Sequence, residues 1–159
     1  MVIFENAGPF AVARRVLAEV NSRPYDLIAY GGGRGILASL AHIRTIERHV
    51  DSIHYVGDLD DVGLDIAWNA RHVAARLHLP TLVPATEIHR QMLATARAFG
   101  HPDGWPTRTR LPELDRNRNL DAVDADVRAD VERILRAGRR IPEEVLGPVE
   151  FRGAWIELP

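Results

Sequence analysis

Short apolar runs alternate with amphipathic stretches along the first hundred residues. Val2-Ile3-Phe4 is an apolar run closed by Glu5. Gly8-Pro9 follows, with proline well placed for the first turn of a helix. Val12, Val16, Leu17 and Val20 then recur at helical spacing, with Arg14, Arg15 and Glu19 between them. Asn21-Ser22-Arg23-Pro24 breaks that helix. Residues 25–30 read as a second strand that runs into Gly31-Gly32-Gly33-Arg34-Gly35. A helix is expected over 36–50, with Leu37, Leu40, Ala41, Ile43 and Ile46 on its apolar side. Residues 53–56 form a short strand that ends abruptly in acid: Gly57, then Asp58, Asp60 and Asp61. A helix over 62–77, a short strand Thr81-Leu82-Val83-Pro84, and a helix from a Thr86 cap to Phe99 complete the pattern.

Strands alternating with helices imply an α/β fold, a mostly parallel sheet of about four strands with helices on both faces. Ligands in such sheets sit at the carboxyl ends of the strands. Glu5, the 31–35 loop, and Asp58 with Asp60 each lie at such an end. After Gly100 the pattern changes. Residues 101–119 read as a loop and 121–137 as a helix stopped by Gly138. Pro142 to Leu146 give one more helical turn, and Val149-Glu150-Phe151 and Ala154-Trp155-Ile156 read as edge strands or a packed tail. The reading is an α/β core over 1–100, with 101–159 packed on it as an extension of the same domain.

At 159 residues the chain has the size of one domain and can bury a core. No apolar run is long enough to span a bilayer, and the first residues lack the pattern of a signal peptide, so a cytoplasmic location is the default expectation. Cysteine is absent, which removes disulfides and thiolate zinc sites. A net charge of −2 does not advertise nucleic-acid binding. All 20 basic residues are arginine. Any mechanism needing a lysine from this chain is thereby excluded, and phosphate contacts fall to the arginine fork.

Asp58 and Asp60 are two apart, so in extended backbone they project from one face. Their hard oxygens suit Mg²⁺ or Mn²⁺, with water and substrate phosphate completing the sphere. Asp61 lies nearest the helix start and is expected to cap it; Asp65 is expected to be a charge on the helix face. Glu5 fits a general base or a further metal ligand. Gly31, Gly32 and Gly33 allow close backbone approach, and a helix starting near Gly35 would aim N–H groups at an anion. The Lys-Ser/Thr of a P-loop is missing. Arg34 is the candidate phosphate contact. Tyr30 and Tyr55 are expected in the core, and the histidines show no metal-ligand spacing. Arg108, Arg110, Arg116 and Arg118 read as a solvated loop, or as a track for a nucleic-acid backbone.

Asp58-Leu59-Asp60-Asp61-Val62 resembles the first motif of haloacid-dehalogenase-type phosphatases, but that motif normally lies on the first strand and is followed by a lysine. A response-regulator receiver also needs a lysine. The order Glu5, Gly31-Gly32-Gly33, Asp58/Asp60 is more similar to a Toprim domain, the metal-binding module of topoisomerases, bacterial primases and several nucleases. More narrowly, Val2-Ile3-Phe4-Glu5-Asn6, Tyr30-Gly31-Gly32-Gly33 and the run from Tyr55 to Leu64 resemble the C-terminal domain of the JetD family, and Arg139-Arg140-Ile141-Pro142-Glu143-Glu144 is similar to a late motif in that group. JetD is the nuclease subunit of the bacterial Wadjet anti-plasmid systems and is related to the topoisomerase VI A subunit. The resemblance implies cleavage of double-stranded DNA assisted by Mg²⁺ or Mn²⁺. It implies Asp58 and Asp60 as metal ligands and Glu5 as ligand or base, with Glu143 or Glu144 completing a second metal site. Gly32, Gly33 and Arg34 would meet phosphate. Partners would be DNA, other subunits of a condensin-like defence complex, and a second copy of the chain. The upstream DNA-binding region of that group is missing, so a fragment or a short homologue is expected, with hydrolysis by water in place of a tyrosyl intermediate. Two alternatives remain: a non-catalytic DNA-binding or assembly module, and a dehalogenase-type phosphatase.

Overall fold

The computed structural model describes residues 1–20, 24–107 and 118–156. β1 (Val2–Phe4) lies between β2 (Ile28–Tyr30) and β3 (Ser52–Val56), and β4 (Thr81–Pro84) forms the far edge. The pairings are parallel, in the register Val2 to Ile28, Val2 to His54 and Ile53 to Leu82. Alternation along these short strands assigns the faces. Val2, Phe4 and Val56 pack with α1 (Ala7–Glu19), α4 (Thr86–Ala98), α5 (Ala125–Arg136) and α6 (Pro148–Ile156). Ile3, Ile53, Tyr55 and Leu82 pack with α2 (Ile36–Ser39), the 3₁₀ segment Leu40–Thr45, and α3 (Asp61–Arg76). A sheet buried on both faces needs its strands apolar throughout, as β1 is.

From β1 the chain crosses one way to β2, and from β3 the other way to β4. The carboxyl ends of β1 and β3 therefore flank the point where the winding reverses, and the loops leaving them open a crevice. The C-terminal part closes over this edge. β5 (Trp105–Pro106) pairs antiparallel with β6 (Arg139–Arg140). Ile141 then bridges Leu59, with both N–H···O bonds made, at 2.9 and 3.2 Å. Behind it α6 packs on α1 and α4, and Phe151 stands edge-on to Phe4 with centroids 5.5 Å apart.

Several local expectations are corrected. The helix expected over 36–50 is α-helical only to Ser39, tightens to 3₁₀ and ends at Thr45. Ser39 Oγ donates back to the Gly35 carbonyl, and Ile43, Thr45 and Ile46 are β-branched, so both features disfavour a long α-helix there. Thr86 is the first residue of α4; the cap position is Ala85, which makes no side-chain bond. The segment 121–137 divides into a 3₁₀ turn, Leu120–Ala122, and α5, capped by the Asp124 carboxylate accepting the Asp126 N–H. The tail read as two strand triplets is the single helix α6, with Phe151, Ala154 and Trp155 at helical spacing. The 101–119 region contributes β5. Tyr30 ends an edge strand with one neighbour and is 53% exposed, whereas Tyr55, in a central strand, is buried as expected. Arg108, Arg110 and Arg116 lie outside the described residues.

Candidate functional site

Glu5 continues the pairing of β1 by one residue, its N–H donating to the Val56 carbonyl at 2.8 Å. The register Phe4 to Val56 then sets Glu5 opposite Gly57. Tyr55 lies on the same sheet face as Glu5, two residues along, and its hydroxyl donates to Glu5 Oε2 at 3.2 Å. Burial and the Glu5 carboxylate push the Tyr55 phenol far above its usual range, so it remains a donor. The glycine loop is spent on the same strand end. Gly31 N–H donates to the Phe4 carbonyl, and Gly32 and Gly33 N–H groups both donate to the Glu5 carbonyl, at 3.2 and 3.3 Å. These amides therefore fasten Glu5 and do not form the anion cradle expected of Gly32 and Gly33. Arg34, expected on phosphate, pairs with Asp65 at 2.9 Å.

After β3 the chain turns through Gly57 and Asp58 before α3 begins. The cap of α3 is Asp60, not Asp61: Asp60 Oδ1 accepts the N–H groups of Val62 and Gly63 at 2.9 and 2.8 Å, while Asp61 is buried in the first turn. The cap position needs extended backbone, and Asp60 has it (φ −142°, ψ 176°). Gly63 is required by close approach, because a Cβ there would sit 2.3 Å from the Asp58 carbonyl oxygen. Asp58 is bonded through both oxygens. Oδ1 accepts the Glu143 N–H and Oδ2 accepts from Arg140 Nη1, each at 2.9 Å.

The late segment thus delivers Arg140 and Glu143 to the acids. Glu143 is fully buried. Its Oε1 accepts the Asn6 N–H, and its Oε2 has no hydrogen-bond partner. Glu144 is exposed at the rim. Burial, followed by the Asp58 carboxylate, pushes the Glu5 acid up to about 7, with Asp60 and Glu144 adding to the effect and the Tyr55 hydroxyl opposing it. Burial, with Asp60 and Glu144, raises Asp58 to about 6 against the Glu143 amide and Arg140. Burial, then Asp58, Glu5 and Glu144, take Glu143 to about 9 against the Asn6 amide. Glu5, Asp58, Asp60, Glu143 and Glu144 therefore lie within one another's fields, with Arg140 as a neutralising cation.

The structure brings together the acids singled out from the sequence, from three separated segments. As the side chains stand, no group of three His, Asp or Glu among the described residues is arranged to hold a metal ion. Arg140 and the Glu143 amide occupy Asp58, and the α3 amides occupy one Asp60 oxygen. Sequence reasoning missed Arg140, Tyr55 and Asp65 as working groups. Strand register could have placed Tyr55 beside Glu5. Asp65 was expected on the helix face, yet it is buried and bonded to Arg34, Arg118 and Asn69. Comparison with protein-family models, curated proteins and solved structures returns no match for this chain.

Proposed function

We propose that this chain is a Toprim-type domain that cleaves phosphodiester bonds of double-stranded DNA with Mg²⁺ or Mn²⁺. The observation that carries the reading is the meeting of Glu5, Asp58, Asp60 and Glu143 at the crevice between β1 and β3. Carboxylates raised by burial and mutual repulsion are relieved by a cation, and the buried, unpartnered Glu143 Oε2 marks where neutralisation is least complete. The donor set is all hard oxygen and fits either ion. Glu5, Asp58 and Asp60 would hold it once Arg140 swings off Asp58, with Glu143 or Glu144 serving a second site. The ion would supply Lewis-acid stabilisation of the reacting phosphate. Glu5, oriented by Tyr55, is suited to hold the ion or, where Asp58 and Asp60 hold it, to take a proton from an attacking water. Arg140, with 42% of its side chain exposed, is free to turn toward a phosphate oxygen.

The partners implied by the JetD-like motifs are subunits of a condensin-like defence complex or a second copy of the chain. No helix among the described residues is long and apolar enough to cross a membrane. The test is plasmid nicking with Mn²⁺ or Mg²⁺, which Asp58→Asn and Asp60→Asn should abolish. Nicking that survives both substitutions overturns the proposal. A second reading, a non-catalytic module of the same fold, is favoured by the engagement of both Asp58 oxygens. It requires that no ion supports cleavage. A dehalogenase-type phosphatase would instead turn over p-nitrophenyl phosphate through an aspartyl-phosphate at Asp58.

A further inference from the structure

Three aromatic side chains from separate parts of the chain line a cavity of about 250 Å³ that shares no residue with the acid cluster. Tyr25 precedes β2, His54 lies in β3 and Trp155 lies in the last turn of α6. Tyr25 stands steeply to both of the others. It is inclined at 64° to His54 with centroids 5.0 Å apart, and at 76° to Trp155 with centroids 6.4 Å apart. Pro24 and Pro84 add apolar wall, and Thr86 and Glu87 bring in the first turn of α4. Trp155 Nε1 and His54 Nδ1 are closed off from solvent, and His54 Nε2 is paired with Ser52 Oγ at 3.2 Å. What these two rings offer the cavity is therefore mainly carbon surface. Burial, then the Met1 ammonium, lower the His54 pKa against the Pro84 carbonyl, so the imidazole is neutral at pH 7. That ammonium is itself faced by Asp26 and Asp51.

Glu87 is the one charged side chain among the described lining residues. It shares Arg90 with Asp126, so one cation faces two anions and a negative charge is left over. That charge exceeds the about half-charge of opposite sign at the N-terminus of α4. Burial, then Glu87, push the Tyr25 phenol up to about 12, so the field of the carboxylate reaches the aromatic wall. Ring faces attract a cation, and here a carboxylate acts in the same sense. Walls set at steep angles enclose a compact head group, whereas a flat base needs two parallel walls. The cavity is also smaller than the about 300–1,000 Å³ of sites for drug-sized ligands. A primary ammonium would leave N–H groups unsatisfied against carbon walls, a cost that methylation removes. We propose that the cavity formed by Tyr25, His54, Trp155 and Glu87 binds a methylated ammonium head group. The chain has no lysine, so no lysine side chain of a second copy supplies that group. The site stands without the DNA-cleavage reading, because none of its residues belongs to the acid cluster.

The experiment is an NMR titration of the full chain with choline and with its uncharged isostere, in which carbon replaces the nitrogen, at matched ionic strength. Choline should bind about tenfold more tightly than the isostere, and its methyl protons should move upfield in the ring currents of the walls. Tyr25→Leu should weaken choline about fivefold, and Tyr25→Phe, which keeps the ring and loses the hydroxyl, should restore it. Glu87→Gln should weaken choline about fivefold and leave the isostere unchanged, because only the charge is lost. Trp155→Leu removes a core residue, so the partly exposed Tyr25 and Glu87 keep the test decisive if that variant fails to fold. Melting temperatures identify such a variant. Equal affinities for choline and isostere, wild-type choline affinity in both Tyr25→Leu and Glu87→Gln, or no saturable binding by about 50 mM choline overturns the site. A peptide carrying trimethyllysine distinguishes the sources. Tighter binding than choline assigns a head group borne on a protein, and equal or weaker binding assigns a free small cation.

Discussion

Glu5 Oε2 occupies the space that a Cβ on Gly57 would take: the two would lie 2.3 Å apart. The glycine opposite Glu5 in the strand register is what lets the carboxylate turn across β3 to the Tyr55 hydroxyl.

Gly57→Ala should therefore separate activity from stability. The clashing atom is the end of a flexible side chain, so Glu5 can rotate away and folding loses about 1 kcal/mol. Metal-dependent nicking should fall by about 100-fold, because the displaced Glu5 leaves both Tyr55 and the acids. Gly63→Ala behaves differently. Its Cβ would meet Asp58 backbone at 2.3 Å, so about 1–3 kcal/mol of stability is expected to go with the activity. Thermal melts beside nicking rates check both; equal effects from the two substitutions would contradict the assignment.

Asp60 carries two roles that side-chain chemistry can divide. Asn is as good an N-cap as Asp, so Asp60→Asn keeps the bonds to Val62 and Gly63 and removes only the charge. Asp60→Ala loses both, with about 1 kcal/mol lower stability than Asp60→Asn. Denaturant unfolding should show that gap while neither variant nicks DNA.

On the proposed reading, Arg140 would compete with a cation for Asp58. Arg140→Ala removes a positive charge 2.9 Å from Oδ2, so Mn²⁺ should bind about tenfold more tightly, or about 1.4 kcal/mol. Calorimetric titration of Mn²⁺ measures this. Weaker Mn²⁺ binding would show that Arg140 builds the site and does not occupy it.

Protons stabilise the metal-free fold. Glu5, Asp58 and Glu143 have folded-state pKa values raised from 4.5, 3.8 and 4.5 to about 7, 6 and 9, chiefly by burial. Between those limits the folded chain holds protons that the unfolded chain has released. The contribution of the three acids is full below about pH 4, falls as pH rises toward 9 and levels off above it, while buried His89, lowered from 6.5 to about 4, acts in the opposite sense between those two values. A drop in Tm on the order of 5 °C is expected in EDTA between pH 7 and 9, where the acids act alone. Glu143→Gln should flatten the part above pH 7, and Mg²⁺ should oppose the whole fall. Calorimetric scans at pH 7 and 9, above the range in which His89 opposes the acids, decide it; a Tm that rises over this interval is incompatible with the burial of these acids.

The sheet was legible because β1, β2 and β3 are largely apolar and are followed by Glu5, Gly31 and Gly57, which fixed those strands and the crevice residues, while β4 rested on the short run Thr81–Pro84 alone. The acids Glu5, Asp58 and Asp60 could be grouped from strand order alone. Their hydrogen-bond partners could not. The Gly32 and Gly33 amides turn back to Glu5, and that depends on loop geometry invisible to composition. Arg140 reaches Asp58 only through the Leu59–Ile141 bridge, a pairing across 82 residues with no local signal. Asp65 looked like a surface charge because the arginines that bury it come from residues 34 and 118. The tail was misread because Phe151, Ala154 and Trp155 fit strand triplets as readily as a helix turn.

The Leu59–Ile141 bridge also sets the order in which the site can come into being. A chain growing from its N-terminus has β1, β3 and the cap of α3 well before residues 139–144 are made. Until those residues dock, Asp58 lacks both Arg140 and the Glu143 amide, and the buried acid of Glu143 is elsewhere. The crevice is thus incomplete until residues 139–144 have been made and docked. A chain truncated before Arg139 would lose the assembled centre together with Phe151 and Trp155 from the core, so any cutting activity would arise only in molecules translated beyond Glu144.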